Sequence, residues 1–158
     1  MYKKVLVPLD GSELAECVLP HVESIAKGCG VETVMFVRVV EPVHIPISGG
    51  DEGYTFGVDD WKRIESESRA AAENYLNRLM NRVKYGGINF QSKVLSGGKA
   101  ADMIADYATK DEVDLIVIAT HGRSGISRWV WGSVADRVLR SACVPVLMVR
   151  APGCVPGI

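Results

Sequence analysis

Cysteine and histidine are too few and too scattered in this 158-residue chain to build a metal site. Cys17, Cys29, Cys143 and Cys154 form no C-x-x-C pair, and His21, His44 and His121 lack ligand spacing. Free thiols are expected. Cys17 and Cys143 fall inside apolar patterns, as small core residues do, and Cys154 lies in a Pro/Gly tail. Charge of one sign is also missing. A formal net charge of -1 argues against the strongly basic surface that nucleic-acid binding usually requires, and no block of like charges marks a membrane patch. No apolar run approaches the ~20 residues that span a bilayer. The opening MYKKVLVPLDGS has an apolar run cut by Pro8 and Asp10, too short for a secretory core, so the expected location is the cytoplasm.

The common catalytic motifs are missing as well. Lys99 follows Gly97-Gly98, but Ala100 stands where a P-loop needs Ser or Thr for Mg²⁺, and the upstream glycine is absent; Lys99 reads as a solvated residue near a helix start. No G-x-G-x-x-G follows the first strand, which disfavours a dinucleotide-dependent dehydrogenase. Ser24-Ile25-Ala26-Lys27 spells S-x-x-K, yet it lies late in an amphipathic helix without partner motifs. There is no nucleophile elbow, zinc helix or pair of acids with a clear role.

What is present is a hydrophobic fraction of 47%, enough to bury a core without staples, in a chain sized for one domain over residues 1–150 with a frayed tail at 151–158. Residues 4–9 read as a strand, and Asp10-Gly11-Ser12 ends it with turn and cap chemistry. Leu14, Cys17, Val18, His21, Val22 and Ile25 then follow at helical spacing, stopped by Gly28 and Gly30. Residues 32–40 are almost continuously apolar, as in a central parallel strand, and Pro42 ends them. The Pro/Gly-rich residues 41–60 exceed an ordinary connection and read as a functional loop. Trp61, Ile64, Ser68, Ala71, Ala72, Tyr75, Leu76, Leu79 and Val83 trace one face of a long helix closed by Gly86-Gly87. A more exposed strand over 88–95, a helix over about 100–109 with Met103, Ile104 and Tyr107 inward, and a buried strand over 115–118 come next. A last helix and a strand at 144–149 complete the order.

The alternation β-α-β-α-β-α-β-α-β predicts an α/β fold: one open five-stranded parallel sheet with helices on both faces, Rossmann-like or flavodoxin-like in layering. Ligands of such sheets bind beyond the carboxyl ends of the strands, where strand order reverses. The ends of the first and fourth strands are therefore the candidate site. After the fourth strand come Thr120, His121, Gly122, Arg123, Ser124 and Gly125, and then Gly132-Ser133 before VADRVLRSA. Gly132 can admit a ligand close to the backbone, Ser133 can cap the helix or donate to an oxygen, and free N–H groups at the helix start favour an anion. Taken alone, this segment fits an ordinary strand-loop-helix connection equally well. Asp10 has the same two readings, a turn residue or a group that holds a ribose hydroxyl or Mg²⁺.

VLVPLDGSELA, GGKAADMI and ATHGRSGISRWVWGSVADRVLRSACVPVLMVR resemble the universal stress protein family over nearly the whole chain. The family's ATP signature, Gly-x2-Gly-x9-Gly-Ser/Thr, falls on Ala119, Gly122, Gly132 and Ser133, with Ala119 in place of the first glycine. The resemblance implies ATP, with Mg²⁺, as cofactor. Pro8, Leu9 and Asp10 would line the nucleoside, with Asp10 toward ribose or metal, and Val39 would contact adenine. Ile118, Ala119, Thr120, His121 and Gly122 would wrap the ribose and first phosphates. Gly132, Ser133 and the Val134 amide would take the outer phosphates, with Arg123 adding charge. Trp129 and Trp131, between the two phosphate elements, read as packing or contact anchors. It also implies a nucleotide-dependent regulator that forms a homodimer through the last strand, VPVLMV at 144–149, whose apolar edge needs a cover. Two alternatives stand beside it: a dimeric interaction module whose loop Ala119 has spoiled, and a slow ATPase with Asp10 on Mg²⁺ and His121 as the one candidate base.

Overall fold

A computed structural model describes residues 1–42, 58–83, 86–120 and 132–150. Five strands form one parallel sheet: β1 (Lys4–Pro8), β2 (Thr33–Val40), β3 (Asn89–Ser96), β4 (Leu115–Ala119) and β5 (Val146–Val149), in the order β3-β2-β1-β4-β5. The helices are α1 (Leu19–Cys29), preceded by a 3-10 helix at Ala15–Val18, then α2 (Val58–Arg82), α3 (Ala100–Lys110) and α4 (Ser133–Ser141). The chain is α/β, as its alternation predicts.

The period of two along each strand separates two cores. Val5 and Val7 of β1, Val34 and Phe36 of β2, and Leu115 and Val117 of β4 face α1 and α2, where they meet Val22, Leu76 and Leu79. Leu6, Met35, Val37, Ile116 and Ile118 point the other way, toward Ile104 and Ala108 of α3 and Val138 of α4. Each buried aliphatic side chain contributes about 1.5–3 kcal/mol relative to exposure, so a one-residue slip of any central strand would put apolar groups on the wrong side. β3, at one edge, is mostly exposed.

Several local expectations change. Residues 15–29 are not one helix: Pro20 falls in the first turn of α1, where its missing N–H costs nothing, and a 3-10 turn precedes it. His21 is exposed, because the buried stripe runs through Val18, Val22 and Ala26 at steps of four. Ala71 of α2 is exposed for the same reason, with Ala72, Tyr75 and Leu76 buried instead. Cys143 is exposed, in the turn between α4 and β5, so its apolar sequence context misleads. β5 begins at Val146, since Pro145 has no N–H for the ladder. α2 ends at Arg82, short of Gly86-Gly87. His44, Cys154 and the greater part of residues 41–60 lie outside the described residues. Among the described residues no helix is long and apolar enough to cross a membrane.

Candidate functional site

The reversal of strand order falls between β1 and β4: from β1 the chain builds outward to β2 and β3, and then returns to place β4 and β5 on the other side. A cavity of about 290 Å³ opens at the carboxyl ends of these strands. Pro8, Leu9 and Asp10 enter it from β1, Val39 from β2, and Ile118, Ala119 and Thr120 from β4. Gly132, Ser133 and Val134 close it at the start of α4. The structure thus brings together every described residue that sequence reasoning placed at the site. His121, Gly122, Arg123, Trp129 and Trp131 lie outside the described residues.

Local chemistry positions these groups. The Leu9 N–H donates to the Val37 carbonyl at 2.9 Å, prolonging the β1 ladder before the chain turns. Asp10 then shapes the turn: its Oδ1 accepts from the Ser12 amide at 2.9 Å and the Ser12 hydroxyl at 2.7 Å, while Ser12 Oγ accepts from the Ala15 amide at 3.1 Å. Gly11 between them has φ +86, a conformation that side chains beyond glycine rarely adopt. The turn reading of Asp10 is therefore correct, and the residue also faces the cavity. At β4, the Thr120 N–H donates to Val149 at 2.8 Å, and its carbonyl accepts from Gly132 at 2.6 Å, which brings the start of α4 to the end of the strand.

Gly132 is the N-cap of α4 and Ser133 its first helical residue, so the cap role expected for Ser133 belongs to its neighbour. Among the described residues no side chain caps this helix. Gly132 has φ -49 and ψ 124, so its backbone does not require glycine, and the residue lines the cavity. The first-turn amides of α4 have no partner within the helix, and they sit where the dipole favours an anion. Ala119 is a regular β4 residue opposite Val149, only 8% exposed, so its methyl strains no backbone and acts through its volume.

Sequence reasoning missed Ala15, Val37, Ala100, Ile104 and Ala135, which complete the lining. Topology was the available signal, because every helix of a parallel α/β sheet starts at the carboxyl edge of the strands and can present its first turn to the site. At α3 that start is already occupied: the Ala100 N–H donates to the Glu41 carboxylate at 2.6 Å. The described lining divides into an apolar part, from Val37, Val39, Ala100 and Ile104, and polar groups from Asp10, Thr120, Ser133 and the α4 amides. Asp10 is its one carboxylate. Among the described residues no group of three or more His, Cys, Asp or Glu could cage a metal ion. A lone carboxylate nevertheless suits Mg²⁺ brought by a phosphate ligand, since that ion usually takes one or two carboxylates plus phosphate oxygens and water.

Comparison with known proteins places the chain. The model of the universal stress protein family matches residues 1–150. A universal stress protein of Methanocaldococcus jannaschii is 30% identical over 154 residues, 96% of this chain and 84% of that one. A second universal stress protein of that organism is 26% identical over 157 residues. Its solved structure superposes with a TM-score of 0.79 at 25% identity, covering 97% of this chain and 99% of that one. At the level of fold alone, an Arabidopsis thaliana universal stress protein solved with AMP bound superposes with a TM-score of 0.64 at 16% identity, over 96% of this chain and 93% of that one. On its family match, its sheet order and its relatives, this chain belongs to the universal stress protein family.

Proposed function

We propose that this chain binds ATP with Mg²⁺ in the cavity between β1 and β4, and acts as a regulator whose conformation follows the nucleotide. The observation that carries the reading is the convergence on one cavity of an apolar wall, a carboxylate at a strand end and a helix start that no described side chain caps. Adenine would lie against the apolar part near Val39, and Asp10 would face the ribose hydroxyls or the metal. Ile118, Ala119 and Thr120 would flank the ribose and inner phosphates. Gly132, Ser133 and the Val134 amide would take the outer phosphates, where the dipole of α4 offsets negative charge. His121, Gly122 and Arg123 join this assignment by their place in the sequence. The AMP held by the Arabidopsis relative supports an adenine nucleotide as the ligand class.

If Mg²⁺ accompanies the nucleotide, Asp10 would be the carboxylate to hold it, and the ion would neutralise phosphate charge. This chain's residues would bind and orient the nucleotide, with no hydrolytic step assigned. Denaturing freshly purified protein and identifying released small molecules by mass spectrometry, together with a Mg-ATP titration by calorimetry, tests the reading. Co-purified ATP or tight binding is the expected result. No ligand and no heat would leave the interaction module, with the volume of Ala119 as its cause.

A homodimer through β5 belongs to the same proposal. β5 is the sheet edge opposite β3, and Leu147 on it is 38% exposed, an apolar edge that a second copy would cover. Leu147→Lys should convert a dimer into a monomer in sedimentation equilibrium; an unaltered dimer would move the interface elsewhere.

A further inference from the structure

Arg38 is the one charged residue of β2, TVMFVRVV, and lies near its carboxyl end. A half-buried charge in a strand needs compensation. Two of its contacts bear on the candidate site. The guanidinium carbon lies 5.4 Å from the centroid of the Tyr75 ring of α2, within range of a cation–π contact. The guanidinium also lies against Gly11: a Cβ built on that glycine would sit 3.0 Å from Nη1 and 3.1 Å from Cζ. Arg38 therefore packs beside both the ring and the turn that carries Asp10.

The ring itself is held in place. Tyr75 is 7% exposed and donates its hydroxyl to Glu16 Oε1 at 3.0 Å, and Arg82 Nη2 reaches both Glu16 oxygens at 3.0 and 2.9 Å. Glu16 lies in the 3-10 helix that directly follows the Asp10–Ser12 turn. Burial foremost, then the bond to Glu16, pushes the Tyr75 phenol well above its ordinary range, and the charge of Asp10 adds to the effect. The phenol therefore stays a donor at neutral pH. Strand β2, helix α2 and the 3-10 helix thus meet around the Asp10–Ser12 turn.

We propose that Arg38 is a positioning residue for the nucleotide site: wedged against Gly11 and backed by Tyr75, it sets the Asp10–Ser12 turn so that Asp10 meets the ribose hydroxyls. The proposal rests on the nucleotide reading above and gives α2 a direct path to the ligand. Arg is suited to the task because its planar head can stack on a ring and pack under a glycine at once, which the ammonium of Lys cannot do.

The test compares calorimetric Kd values for ATP and 2′,3′-dideoxy-ATP, both with Mg²⁺, in the wild type and in Arg38→Met, Tyr75→Leu and Tyr75→Phe. The wild type should favour ATP by about tenfold, as expected for hydrogen bonds to a carboxylate. Arg38→Met and Tyr75→Leu should bring that ratio close to one while the dideoxy affinity holds steady, and Tyr75→Phe, which keeps the ring, should retain it. Equal weakening of both ligands would assign Arg38 to general packing and overturn the proposal, as would an unchanged ratio in both Arg38→Met and Tyr75→Leu. A wild type that binds both ligands equally would remove the ribose role of Asp10 and the proposal with it. A wild type that binds neither would refute the nucleotide reading itself.

Discussion

The Gly132 amide donates to the Thr120 carbonyl across 2.6 Å, which ties the start of α4 to the end of β4 although eleven residues separate them in sequence. That bond helps to bring the helix start to the cavity that Ala119 and Asp10 also line. It makes a cavity wall from two segments that are remote along the chain.

Gly132→Val should therefore remove binding without unfolding the domain. The negative φ of -49 does not demand glycine, so stability should change by no more than about 1–2 kcal/mol. The added isopropyl group would fill the phosphate end, and affinity for ATP should fall by at least about tenfold, or ~1.4 kcal/mol. Calorimetry alongside urea unfolding checks both halves, and unchanged affinity would move the phosphate position elsewhere.

Ala119→Gly restores the residue found in the family signature. Because Ala119 sits in regular strand geometry, the exchange should cost about 0.5–1 kcal/mol of stability. Relief of the methyl's volume should strengthen ATP binding by about 1 kcal/mol, roughly fivefold. A weaker complex would mean that the methyl is a favourable contact.

Gly11→Ala should lower stability by about 1–2 kcal/mol through its φ of +86 alone. It should also displace the Arg38 guanidinium, because the new methyl would stand 3.0 Å from Nη1. Urea unfolding measures the first effect, and loss of discrimination between ATP and its dideoxy analogue measures the second.

At the opposite end of the sheet, Lys4 Nζ lies 2.5 Å from Asp111 Oδ2. The ion pair with Lys4 holds the Asp111 carboxyl below its ordinary value, with a further contribution from Tyr107. A depressed folded value means that this stabilisation is fully present above the unfolded value of about 3.9 and fades as pH falls through the folded one. Asp111→Asn should cost about 0.5–1 kcal/mol at pH 7, a modest figure because both side chains are partly exposed, and the difference from wild type should narrow below about pH 4. Unfolding curves at pH 7 and pH 3 that show a constant gap would exclude the linkage.

Much of the site was legible because strand ends are marked by chemistry. Pro8-Leu9-Asp10-Gly11 announces the end of β1, and the apolar run before Thr120 announces the end of β4. Those signals are local, since they report backbone preference and burial on both faces. The residues missed at the site, Ala15, Val37, Ala100, Ile104 and Ala135, carry no distinguishing chemistry and count only because the sheet and helices converge there. Cys143 and His21 were misplaced for a related reason: an apolar neighbourhood in sequence does not say which side of a helix or turn faces the core.

The chain's own pattern determined the β-α alternation, the two-sided burial of its central strands and the existence of a polar edge between β1 and β4, since each follows from periodicity and turn chemistry. Only the tertiary structure decided that Arg38 would lie beside Tyr75 and Gly11, that Glu41 would occupy the start of α3, and that the start of α4 would meet the end of β4. Contacts between distant residues depend on the register and order of whole strands, β3-β2-β1-β4-β5, and a one-dimensional pattern of propensities does not specify which remote side chains that order brings within reach.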